Sequence, residues 1–137
     1  MWDDLEEYIT MFCKENSART NKKTKVVEIG VGKFQKISKH LKENKDIELL
    51  MTDINPANED IIKDDVFNPN MNIYHNADLI FSIRPPSELQ EAIMKIRDRV
   101  DCNLIIKPLF NEDINIKTKK LKLKNYKRAS FYAYLKE

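Results

Sequence analysis

The stretch VVEIGVGKF, residues 26–34, decides how this chain is read. It opens on an apolar, β-branched run and passes through Gly30 and Gly32 into a polar segment. These are the only 2 glycines in 137 residues. Average usage of roughly 7% would supply about nine or ten. A bend of this kind between a strand and a helix reaches positive φ and lets a ligand lie against the main chain. The helix that follows presents unpaired N–H donors. In open α/β sheets such bends lie at the carboxyl ends of strands, where ligands bind. A tight turn with no ligand is the plainer reading, but the concentration of both glycines in one bend favours the ligand.

The residues around the glycines narrow the choice. A dinucleotide fingerprint, G-x-G-x-x-G, places a third glycine where this chain has Gln35. The phosphate-cradling pattern G-x-x-x-x-G-K-[ST] is absent. What stands here is acidic-x-Gly-x-Gly, with Glu28 ahead of the bend. A carboxylate there is ill suited to phosphate and well suited to a ligand carrying an ammonium group and a sulfonium.

Outward from the bend, apolar spacing marks an amphipathic helix over residues 2–16, followed by a polar linker over 16–25. Strands are expected at 25–29, 47–53, 61–67, 77–83 and 103–109. A helix follows the glycines and ends near Asn44, and another follows Pro85 and Pro86. The third strand sits between connections too short for ordinary helical crossovers. Either the crossovers lack full helices or that strand is vestigial. Two strand-like runs, 117–124 and 129–136, suggest an antiparallel hairpin joined by residues 125–128. Together these give an α/β, Rossmann-like, mainly parallel sheet. It divides into an N-terminal helix over 1–18, a core over 26–112 and a C-terminal β-hairpin over 117–136, in one domain.

Composition excludes several classes. Charged residues make up 34% and hydrophobic ones 42%, as in a folded, soluble domain. No run reaches the roughly 20 apolar residues of a membrane span, and the acidic N-terminus is unlike a signal peptide, so a cytoplasmic location is expected. Cys13 and Cys102 read as buried reduced thiols, and His40 and His75 as surface residues, with no metal site. A net charge of +2 is uninformative about partners. The basic run at 117–128 reads first as a charged strand edge, in which Lys120, Lys122 and Lys124 alternate with the buried Leu121 and Leu123, and second as a nucleic-acid contact.

Five motifs occur in order: VEIGVG at 27–32, TDI at 52–54, DDVFNP at 64–69, ADLIFSIRPPSEL at 77–89 and LIIKPL at 104–109. This set resembles the class I methyltransferases, which bind S-adenosylmethionine, and looks like a small uncharacterised archaeal family with a methyltransferase-like core. The resemblance implies a reduced class I fold. It implies that Glu28, Gly30 and Gly32 form the cofactor bend, that Asp53 holds the ribose hydroxyls, and that Asp64 or Asp65 lies near the adenine amino group. It also implies that Arg84, Pro85 and Pro86 stand beside the transferred methyl. Amine-methylating members carry Asn, Asp or Ser before the double proline, whereas Arg84 donates hydrogen bonds and accepts none. Its fork suits a carboxylate or phosphate, unless an ion pair with Glu88 occupies it. Glu112 is a further candidate for the same rim. The two functional expectations are an S-adenosylmethionine-binding protein, with methyl transfer to an unknown acceptor, and a non-catalytic module of the same fold that binds nucleic acid or a protein.

Overall fold

The computed structural model describes residues 2–108 and 120–136. Among the described residues, seven strands form one sheet: β1 (Thr24–Ile29), β2 (Ile47–Asp53), β3 (Ile61–Lys63), β4 (Leu79–Ile83), β5 (Asn103–Lys107), β6 (Lys122–Tyr126) and β7 (Ala129–Tyr134). Their order is β3-β2-β1-β4-β5-β7-β6. The neighbouring pairs among β1 to β5 are parallel, and β7 runs antiparallel to both β5 and β6. The fold class is the expected one: Rossmann-like, mainly parallel, with a C-terminal antiparallel hairpin.

The helices among the described residues are α1 (Trp2–Thr20), α2 (Lys36–Glu43), α3 (Met71–Tyr74) and α4 (Ser87–Val100). Alternating strand residues divide the core into two layers. Val26, Leu79, Phe81 and Ile105 face α1 and α2, packing on Leu5, Ile9, Ile37 and Leu41. Val27, Ile80, Leu104 and Ile106 face the opposite way, onto Tyr74, Ile93 and Ile96 of α3 and α4. Phe131 of β7 is buried in the first layer beside Tyr8 of α1, with ring centroids 4.9 Å apart.

Several boundaries differ from the sequence reading. The first helix continues through Asn16 to Thr20, because Asn16 is buried and donates from Nδ2 to Thr24 Oγ1 at 3.0 Å rather than facing solvent. The third strand stops at Lys63, since Asp64 and Asp65 turn their carboxylates onto the backbone that follows. Both explanations for the short crossovers hold. Residues 54–60 carry no helix, and α3 has 4 residues. With β3 pairing only alongside residues 51–53 of β2, the chain retraces about 10 Å, which a short loop can span.

At the hairpin, the turn is Lys127–Arg128 and β6 begins at Lys122. The strand does form the sheet edge, but the expected burial of both leucines is corrected: Leu121 is buried ahead of the strand, while Leu123 is 58% exposed. Lys124 and Tyr126 turn instead toward Tyr8. The part of the basic run before Lys120, and Glu112, lie outside the described residues. Both cysteines are free and buried, with burial pushing each thiol up to about 12.

Candidate functional site

The strand order reverses between β1 and β4: β2 and β3 lie to one side, β5 to the other. A crevice at the carboxyl ends of the strands follows at that switch point. The loops after β1, β2 and β4 meet there, so the glycine bend, Asp53 and Arg84 are brought to one end of the sheet.

The bend is built as its residues require. Gly30 has φ +71 and Gly32 φ +59, the left-handed region that side chains disfavour. A Cβ on Gly30 would meet Ser82 Oγ at 3.9 Å, so its need for glycine lies in the backbone angle. A Cβ on Gly32 would meet nothing within 4 Å, so the backbone there borders open space. Gly30 and Val31 donate their N–H groups to Thr52 O at 2.9 and 3.2 Å, which ties the bend to the end of β2. Ser82, at the end of β4, donates to Ile29 O at 2.7 Å from the other side. Sequence reasoning passed over Thr52 and Ser82, although both are small polar residues at the ends of otherwise apolar strands.

Asp53 turns into the bend. Its Oδ2 accepts from Gly32 N at 2.7 Å and its Oδ1 from Asn55 N at 2.8 Å. A carboxylate has about four acceptor positions, so roughly half its capacity remains for a ligand. Glu28 is placed differently. It lies beneath the bend, 1% exposed, and accepts a hydrogen bond from Ser38 Oγ of α2. Burial pushes its carboxyl up to about 7, against the lowering effect of the Ser38 bond. Glu28 thus couples the bend to the first turn of α2. That turn has no side-chain cap, so the N–H groups of Lys36, Ile37 and Ser38 lack an intrahelical acceptor.

Asp64 accepts from Asn70 N at 2.9 Å and Tyr74 Oη at 3.1 Å, which anchors the α3 segment. Asp65 accepts from Phe67 N at 3.0 Å within its own turn. Both are thus occupied in shaping the loop after β3. That loop also carries Phe67, 65% exposed, and Ile54 directly after Asp53 is 51% exposed. Apolar residues left in water at strand ends are candidates for covering a ligand's flat face. The signal available in the sequence was that each directly or closely follows an acidic strand end.

Arg84 stands at the end of β4 with φ +54, its N–H bonded to Lys107 O at 2.6 Å. Its guanidinium lies over the rings of Trp2 and Phe34, 5.2 and 5.1 Å from their centroids. The considered pairing with Glu88 is not formed among the described residues. Pro85 behind it is buried, and Pro86 is exposed at the uncapped start of α4. His40 bonds Glu6 on the surface, and no group of three metal-ligating side chains occurs among the described residues. None of the described helices is long and apolar enough to cross a membrane. A cleft of about 710 Å³ runs beside the site between α2 and the helix-free β2–β3 connection, lined by Lys33, Gln35, Ser38, Met51 and Asn58 among others.

Comparison with known proteins agrees with this geometry at the level of fold. The crystal structure of a mutant of MtNAS aligns over 93% of this chain with a TM-score of 0.50 at 11% identity. This chain spans 60% of that protein's length. A UPF0146 protein of Methanothermobacter thermautotrophicus is 42% identical over 137 residues, covering 100% of this chain and 97% of the relative. Another, from Methanocaldococcus jannaschii, is 40% identical and covers 93% of this chain and 92% of the relative. One from Archaeoglobus fulgidus is 36% identical over 85% of this chain and 88% of its own length. The model of the uncharacterised protein family UPF0146 matches residues 9–136, and the chain belongs to that family.

Proposed function

We propose that this protein binds S-adenosylmethionine in the crevice beyond β1, β2 and β4. One observation carries the reading: the Asp53 carboxylate is turned into the glycine bend, at 2.7 Å from Gly32 N, beside backbone that a Cβ would leave open. Those residues fit the group. Asp53 keeps acceptor capacity for a pair of vicinal hydroxyls. The bend lets a chain of atoms pass close to the backbone. The uncapped first turn of α2 offers N–H donors to a carboxylate, favoured there by the helix dipole.

The bound cofactor would supply an electrophilic methyl on a sulfonium. The protein's part in such an in-line displacement is to position the acceptor and exclude water. Buried Pro85 and the following Pro86 fix the backbone at the end of β4 without offering N–H groups there. The Ser38–Glu28 contact holds the start of α2 against the bend from below.

Calorimetry with S-adenosylhomocysteine tests the reading. Binding is expected for the parent chain, and Asp53→Ala is expected to weaken it at least about tenfold, the loss of a charge-assisted contact, while the fold persists by circular dichroism. Absence of any heat at millimolar ligand with a folded sample rejects the proposal. Binding with no methyl transfer to any acceptor class would assign the chain to the non-catalytic module instead.

A further inference from the structure

We propose that Arg84, laid across Trp2 and Phe34, forms a subsite for an oxyanion, a carboxylate or phosphate carried by the molecule that meets the crevice. Its role in holding a methyl acceptor rests on the cofactor reading above; the anion subsite itself does not.

Three segments distant in sequence converge on this point. Trp2 begins α1, Phe34 follows the glycine bend, and Arg84 follows β4. The two rings contact each other at 4.8 Å between centroids, and the guanidinium lies over both. A cation–π contact of this kind uses none of the N–H donors as hydrogen bonds. Among the described residues, no carboxylate or carbonyl takes up those donors, and the side chain is exposed. Asp3, the carboxylate next to Trp2, is engaged by Lys36 at 3.1 Å. The nearest acidic residue along the chain beyond Arg84 is Glu88, in the first turn of α4.

The backbone adds an independent observation. Among the described residues, positive φ without glycine occurs at Asn21, Asn76, Arg84, Asp101 and Lys127. Asn and Asp tolerate that region, and Lys127 lies in the hairpin turn. Arg84 is the bulky residue placed there at the mouth of the crevice, where glycine would be easier. Strain retained at such a point is characteristic of a binding function. The start of α4, just beyond, has no side-chain cap on its N–H groups, and its dipole favours negative charge.

Trp2 is the only tryptophan in the chain, so its fluorescence reports on the cluster directly. Titration with sodium phosphate and with sodium acetate, each against sodium chloride at matched ionic strength, should give a saturable change for at least one oxyanion. The two arms tell a phosphate-bearing from a carboxylate-bearing ligand. Arg84→Gln should weaken that response at least about tenfold, and Arg84→Lys, which keeps charge without the fork, should fall between. Arg84→Gly, whose backbone prefers this φ, keeps the test open if the glutamine variant does not fold. Oxyanion curves that coincide with chloride, or folded variants that respond like the parent, overturn the proposal. Calorimetry with S-adenosylhomocysteine on the same samples separates the two readings. An oxyanion response without cofactor binding leaves the anion subsite standing and removes only its acceptor role.

Discussion

Two arginines at opposite ends of the sheet divide the molecule into a closed region and an open one. Arg97, near the amino end of β5, is 2% exposed and fully engaged. It donates to Cys102 O at 2.7 Å and to Asp98 and Asp101, and it lies 3.9 Å from the centroid of Tyr134. Its neighbours are equally satisfied. Asp78 accepts from Lys25 N, Asn103 donates to Asp78 O, and Thr24 joins Asn16 to Cys13 O. Arg84, at the carboxyl end, rests on two aromatic rings in solvent. Around it lie uncapped helix starts, a left-handed backbone and exposed apolar residues. The same chemical groups serve stability where every partner is internal, and serve binding where partners are left to come from outside.

That division can be broken by experiment. The largest effect should come from Glu28, the buried carboxyl underneath the open end. Its folded value of about 7 lies above the unfolded value of 4.5. The neutral form is therefore the one the fold prefers. The associated stability is fully present below pH 4.5 and is lost as pH rises through about 7. Relative to Glu28→Gln, the parent should lose roughly 3 kcal/mol between pH 4.5 and pH 8. Urea midpoints of both chains across that range would show it, and parallel curves would mean that Glu28 is not held neutral.

Thr24→Val probes the closed end. It removes the acceptor of the buried Asn16 amide, at a cost of about 1–3 kcal/mol. The thermal midpoint should fall while S-adenosylhomocysteine affinity in the folded protein stays put. A change in affinity would show that the two ends are coupled. Gly32→Ala is the converse and the smallest in stability, about 1 kcal/mol for a left-handed alanine with no steric contact. Its loss of ligand affinity should exceed its loss of stability. The reverse ranking would make the bend a structural turn.

The closed and open regions were not equally legible in the sequence. Residues 47–53 read as a strand and form β2 over the same span, because a largely apolar run ending in Asp53 leaves little choice. The glycine bend and Asp53 were legible because their spacing is local and the rest of the chain lacks glycine. Asn16 was misleading: a polar residue suggests a boundary, and only its tertiary partner Thr24 makes it helical and buried. Leu123 misled in the opposite sense, since alternation cannot say which face of an edge strand is covered. The meeting of Trp2, Phe34 and Arg84 was invisible, because Glu88 offered a nearer partner and the aromatic ones come from segments brought together only by the sheet order.

The placement of β7 has a consequence for how the chain must be made. The seat of α1 includes Phe131, and its acidic residues close on the hairpin: Asp4 Oδ2 accepts from Arg128 N at 3.0 Å, and Glu7 from Tyr126 Oη at 2.7 Å. Part of the shelter of this helix thus comes from strands made more than a hundred residues later. Such distant pairings slow folding and prolong the exposure of sticky surface. Truncations that remove residues 129–134 should therefore yield aggregated protein rather than a smaller working domain.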